Sequence, residues 1–216
     1  MNVFPHQPSQ IELHARPRSL DSAVIAILLE ELRLPYEMDL THRHHPHIPY
    51  LTDIQSNGAQ IALNDVVSIV SYLVAKYDRG QRISYSNRTK GAAEIQEWVG
   101  HLPERSKTQA QAQDRRRIQT RSPSPNSQGE VVLKMIHLYL HLEGRLQDRK
   151  SGGYLVGKKC TLADLIHFPA VAAAGSLKLD LERFPELTAW YNRLCERGTV
   201  RRGMRAVELE IGEEDD

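Results

Sequence analysis

Four groups of residues in this 216-residue chain have types and spacings that chemistry can use. The first is a junction. Arg16, Arg18, Ser19, Asp21 and Ser22 fall between a short alternating run, Gln10-Ile11-Glu12-Leu13-His14, and a long apolar one. A side-chain oxygen at such a place accepts from an otherwise unpaired N–H of the following helix, so capping preference alone accounts for Ser19 or Ser22. The second group is His42, His44, His45 and His47. Imidazoles hold metal ions, but this spacing matches no standard ligand motif, and Pro46 and Pro49 break any helix that would align them. A solvated loop and no metal are expected. The third is Arg115-Arg116-Arg117 with nearby Ser-Pro pairs, a pattern that suits phosphate contact. No aromatic residue interleaves it to stack bases, so a flexible insertion is favoured over a nucleic-acid site. The fourth is Cys160 and Cys195, the only cysteines, which sit in helical patterns and read as packing residues. Two cysteines also exclude a disulfide scaffold and the multi-cysteine zinc ribbons.

The elements that position these groups follow from periodicity. Gln10 to His14 alternates as a strand does. Val24, Ile27, Leu28 and Leu32 repeat at helical spacing, and Ile25 and Leu29 widen that face, so this helix is buried on much of its surface. It ends before Pro35. Tyr36 to Leu40 suits a second strand, far enough from the first for a crossover connection. Residues 42–58 read as irregular, with turn signals at Pro46, Pro49 and Asn57-Gly58. Gln60 to Leu63 reads as a strand, and helices are expected over Val66 to Tyr77 and over 90–102. Val132, Ile136, Tyr139, Leu142 and Leu146 form a further stripe, broken by Gly152-Gly153. Thr161-Leu162-Ala163-Asp164 reads as a capping-box variant. Pro169 is expected to kink the helix that follows. Another helix starts at Phe184-Pro185 and carries Leu187, Trp190, Tyr191 and Leu194, with Gly198 as its expected end. Residues 105–129 hold six basic side chains against Asp114, with Ile118 as the one large apolar residue, and cannot offset the entropy of ordering.

Composition narrows the classes. A formal net charge of +1 argues against a wholly basic nucleic-acid binder. No run approaches the roughly 18 apolar residues of a membrane span. The first ten residues lack the basic and apolar regions of a secretory signal, so a cytoplasmic location is expected.

Four segments together resemble one family. Val24 to Glu37, with Glu30-Glu31-Leu32-Arg33-Leu34-Pro35-Tyr36, resembles the first helix of glutathione transferases. Ile69-Val70-Ser71-Tyr72-Leu73-Val74-Ala75-Lys76-Tyr77 is similar to the end of their thioredoxin-like half. Tyr154 to Asp164 resembles the buried capping motif of their helical half, and Phe184-Pro185-Glu186-Leu187 the helix after it. The style is that of fungal transferases related to the nitrogen-regulator prion protein. The resemblance implies an α/β thioredoxin-like domain over 8–80 and an all-α helical domain over 88–207. The latter would carry the disordered insertion at about 105–129, with an acidic tail over 208–216. It also implies glutathione as co-substrate, a small hydrophobic electrophile as acceptor, a homodimer, and a role in detoxification or secondary metabolism.

Such chemistry needs a thiolate, which a hydroxyl donor and the positive end of a helix stabilise. Ser22 lies nearest the family register for that donor, and Ser19 shares the junction. Arg18 could pair with a glutathione carboxylate. Family members present a cis-proline after Gly-x-Val. The matching stretch is Gly58-Ala59-Gln60-Ile61, with Ile61 where proline is expected and Gln60 beside it. Asp65-Val66 stands where an acid-serine pair would open the next helix. The interval from Asn57 to Tyr72 is about ten residues too short for two strands and a turn, so either Gln60 to Asn64 is the cis-proline strand and the next is missing, or the reverse. Trp98, Tyr139 and Tyr191 could line an acceptor pocket or belong to the core. The incomplete cradle also admits a catalytically degenerate binding or regulatory protein of the same fold.

Overall fold

The computed structural model describes residues 10–41, 48–102, 125–148, 152–173, 180–209 and 211. Strands β1 (Gln10–His14), β2 (Tyr36–Asp39), β3 (Tyr50–Ile54) and β4 (Gln60–Leu63) form one sheet in the order β2-β1-β3-β4. β1 and β2 are parallel, and β3 is antiparallel to both β1 and β4. Helix α1 (Leu20–Glu31) makes the crossover between the parallel pair, and α2 (Val66–Tyr77) follows β4. The helical half comprises α3 (Lys90–Gly100), α4 (Pro125–Leu146), α5 (Leu162–Ala172), α6 (Pro185–Cys195) and α7 (Gly198–Ala206), with a 3-10 turn at Leu181–Arg183.

The sheet has all four strands, which corrects the expectation of a missing one. The irregular reading of 42–58 concealed β3. Its buried face carries Leu51 and Asp53, and the carboxylate interrupts the apolar alternation that marks a half-buried strand. The hairpin to β4 is short. Gly58 donates to the Gln55 carbonyl at 2.8 Å and takes a φ of 80°, a left-handed backbone that suits glycine. Of the polar segment 105–129, residues 105–124 lie outside the described residues. Residues 125–129 belong to α4, so the helix starts earlier than expected. α5 runs through Pro169 without interruption. Gly198 does not end a helix. α6 stops at Cys195, and Gly198 opens α7, whose Val200, Met204 and Val207 stripe was legible but unread.

α1 is the hub. Every side chain from Ala23 to Leu29 is fully buried, as a helix apolar all round requires. It packs on α2, α5 and, most extensively, α7. Polar groups fix the α7 contact. Arg197 grips Glu31 with Nε and Nη2, both at 2.8 Å, Thr199 donates to the same carboxylate, and Arg202 Nε reaches Glu30 at 2.7 Å. Between these bolts a Cβ on Gly203 would lie 2.5 Å from the Ile27 backbone. Gly203→Ala is therefore expected to lower unfolding free energy by about 1–3 kcal/mol in denaturant titration, because overpacking there outweighs alanine's roughly 1 kcal/mol helix advantage.

Asp53 ties α2 to the sheet. Its Oδ2 accepts from Tyr72 Oη at 2.6 Å, Lys76 Nζ at 2.8 Å and the Tyr77 hydroxyl. Burial pushes this carboxyl up, but the Lys76, Tyr72 and Tyr77 donors outweigh it and hold the pKa below its ordinary 3.8. Burial raises Glu31 too, and Arg197 and Thr199 outweigh it, leaving the pKa below its ordinary 4.5. A depressed folded pKa gives stability that is complete above the unfolded value and lost as pH falls through the folded one. The free energy of unfolding is thus expected to fall as pH drops below about 4.5. Asp53→Asn should start lower and follow a flatter acid limb in the same titration.

Candidate functional site

Three backbone features meet at one end of the sheet. β1 and β4 run the same way, since each is antiparallel to β3. Their carboxyl ends feed α1 and α2, so both helix amino termini start at that end. β3 runs oppositely and begins there, directly after a cis Ile48–Pro49 bond. Open sheets hold ligands beyond the carboxyl ends of their strands, and helix amino termini attract anions.

The α1 terminus carries both predicted serines. Ser19 is the N-cap, and its Oγ accepts from the Ser22 N–H at 3.3 Å. Ser22 is fully buried, and its own Oγ accepts from the Arg16 N–H at 3.1 Å. Both serines are buried, Ser22 completely and Ser19 to 8% exposure. Arg18 has an exposed side chain and a φ of 57°, and its N–H donates to the Val207 carbonyl at 2.7 Å. The carboxyl end of α7 thereby holds the loop that presents Ser19. Asp21 lies in the first turn of α1 and puts a negative charge there.

At α2 the cap is Asp65, whose Oδ1 accepts from the Ser68 N–H at 2.8 Å. Val66 supplies no hydroxyl there. Gln60 and Ile61 stand in the strand expected over Gln60 to Leu63, but not at a cis-proline position. Both lie in the edge strand β4, opposite Ile54 and Asp53. The cis-proline is Pro49, ahead of β3, so no proline is missing at 61. The error came from matching Gly58 to the family's glycine, when Gly58 belongs to the hairpin after β3.

The helical half is less open than its aromatics suggested. Trp98 is 6% exposed, and Tyr139 is fully buried with its hydroxyl on the Ala170 carbonyl at 3.1 Å. Tyr191 stacks on Phe168 with centroids 5.5 Å apart. Trp98 and Tyr139 are core, and Tyr191 is half-buried. Burial raises both thiols, Cys160 far above the neutral range, which suits packing and not nucleophilic attack. A cavity of about 810 Å³ lies elsewhere, between α2, residues 78–88 and α3, and includes none of the predicted site residues. His42, His44, His45, His47, Arg115, Arg116 and Arg117 lie outside the described residues.

Capped helix termini at a thioredoxin-like sheet end, joined to an all-helical half, define a class. Residues 127–198 match the family model described as glutathione S-transferase, C-terminal domain. The glutathione S-transferase-like protein gedE of Aspergillus terreus is 29% identical over 85% of this chain and 89% of its own. A glutathione transferase homolog from Lodderomyces elongisporus, solved with two GSH per subunit, is similar at TM-score 0.81 and 22% identity, over 92% of this chain and 98% of that one. The family match covers the helical half, and over the whole chain the likeness to the solved structures is one of fold. That fold is shared with fungal proteins of the Ure2p type. Ure2p5 from Phanerochaete chrysosporium, cocrystallized with 1-(S-glutathionyl)-2,4-dinitrobenzene, is similar at TM-score 0.77 and 22% identity, over 93% and 96% of the two chains.

Proposed function

We propose that this chain adds the thiol of glutathione to a small hydrophobic electrophile. The observation that carries the reading is the convergence of two capped helix amino termini, at Ser19 and Asp65, on one sheet end. In this reading the Ser19 hydroxyl donates to the sulfur as the thiol gives its proton to solvent. The thiolate then forms a bond to the electrophilic carbon, and the displaced group leaves with the electron pair. Ser22 holds the loop shape through Arg16. Arg18 pairs with a glutathione carboxylate, and Asp65 accepts from its ammonium. Gln60 and Ile61 have no role here. The gedE likeness and the glutathione-bound structural neighbours support the co-substrate, and the dinitrobenzene adduct on Ure2p5 supports an aromatic electrophile. The physiological setting carried by the resemblance, detoxification or secondary metabolism, stays part of the proposal.

A second reading, a binding or regulatory module, is favoured by Asp21. A carboxylate in the first turn opposes an anion at the same terminus. Isothermal titration with glutathione and a thiol-addition assay separate the two. Binding with addition supports the enzyme, binding without addition supports the module, and no binding by folded protein rejects the glutathione site.

A further inference from the structure

The sheet face turned away from α1 and α2 carries an unassigned cluster. Ile11 and Leu13 point into the core, so Glu12 and His14 point outward from β1. The register sets Glu37 beside Glu12 and Asp39 beside His14 on β2. Two carboxylates thus stand directly opposite each other, an arrangement that costs stability unless a cation lies near. His14 Nδ1 is 2.9 Å from Asp39 Oδ2, and His14 Nε2 is 3.6 Å from Glu12 Oε1. One ligand atom from each of Glu12, His14 and Asp39 lies within 4.8 Å of the other two. Donors sharing a tetrahedral zinc ion stand about 3.4 Å apart, and Glu12 and Asp39 face different ring nitrogens, so one carboxylate must swing round the imidazole to close this set.

The ligands are also held in place. Asp39 Oδ1 accepts from the Thr41 N–H at 2.7 Å and from the Thr41 hydroxyl at 2.6 Å, which turns Oδ2 toward the imidazole. The Tyr50 ring packs against His14 with centroids 5.4 Å apart. Fixing a ligating imidazole and its carboxylate partner through outer contacts is how protein metal sites are oriented. The three ligand residues are one-sixth to two-fifths exposed, so solvent ions reach them.

We infer that Glu12, His14 and Asp39 form a binding site for a borderline divalent cation of the zinc type on the outer face of the sheet. One imidazole nitrogen selects against magnesium and calcium, which prefer oxygen alone, and two carboxylates balance the double charge. The site uses neither helix terminus, although His14 and Asp39 end β1 and β2 at the same end of the sheet.

The test uses tag-free, full-length chain, stripped with EDTA and titrated with zinc chloride in a calorimeter. Wild type is expected to take up one zinc ion per chain through this site. Glu12→Gln, His14→Gln and Asp39→Asn are each expected to weaken that uptake about 10-fold or more. A variant with His42, His44, His45 and His47 all changed to Asn is expected to keep it. Glu12 is the most exposed ligand, so the melting temperature of Glu12→Gln in EDTA should match wild type and exclude misfolding as the cause. Cobalt substitution gives a second readout, a visible d–d absorption band lost in His14→Gln. Absence of saturable zinc uptake overturns the site. So does uptake that survives Glu12→Gln and vanishes in the four-histidine variant, which would place the ion on those histidines.

Discussion

Asp164→Ala is expected to lower the free energy of unfolding by about 3–5 kcal/mol. Asp164 is fully buried at the start of α5 and accepts four hydrogen bonds. Oδ1 takes the Leu155 N–H and the Trp190 indole N–H, each at 2.8 Å. Oδ2 takes the Thr161 N–H at 2.8 Å and its hydroxyl at 3.0 Å. These donors come from the loop before α5, from its cap and from α6, so one carboxylate joins three segments of the helical half. Burial pushes the carboxyl up, and the four donors pull against it. Alanine would leave all four donors without an acceptor in a place water does not reach. Asp164→Asn keeps one acceptor oxygen but turns an NH2 toward other donors, so it should fall between alanine and wild type. Chemical denaturation at neutral pH measures both. A loss below about 1 kcal/mol for alanine would show that the network is dispensable.

This capping box was legible because it is local. Thr161 and Asp164 lie three residues apart, and that spacing alone places a hydroxyl and a carboxylate across a helix start. The partner at Trp190 was not legible, because the contact spans 26 residues and depends on how α6 packs. The same distinction runs through the molecule. β1, α1, β2, β4 and α2 follow from local period. β3 escaped because Asp53 occupies a buried position that only Tyr72, Lys76 and Tyr77, about 20 residues later, make acceptable. Once β3 was overlooked, the hairpin glycine stood in for another glycine, and a proline seemed absent. α6 starts on Pro185 with no side-chain cap of its own. Its Leu187 N–H is satisfied by Glu143 of α4 at 2.8 Å, a partner that no local pattern reveals. At the candidate site, sequence placed Ser19 and Ser22 at the junction, with Ser22 nearest the family register. The Arg18 contact to the Val207 carbonyl, which shapes the loop before Ser19, comes from the far end of the chain.

Ser19→Ala is expected to reduce kcat/KM for glutathione addition to an activated chloronitrobenzene by about 100-fold, the usual effect of removing one donor from a developing or stabilised anion. The same change removes the α1 cap and costs about 1 kcal/mol of stability. Ser19→Asp separates the two roles. A carboxylate accepts from the Ser22 N–H and so keeps the cap, but ionised it has no proton to donate and repels a thiolate. It should melt near wild type and lose at least as much activity as alanine. Asp21→Asn works in the opposite direction. Removing a negative charge from the first turn of α1 stabilises an anion at that terminus, so the pH midpoint of kcat/KM should move down by on the order of one unit. Activity at neutral pH would then rise. Ser22→Ala leaves the Ser19 donor in place and should act through the Arg16 contact, on stability more than on the pH profile. If Ser19→Ala keeps activity within twofold of wild type while Ser22→Ala abolishes it, the assignment reverses and the buried hydroxyl must reach sulfur through a rearranged loop. If neither serine nor Asp21 moves the pH profile, no thiolate forms at this helix terminus.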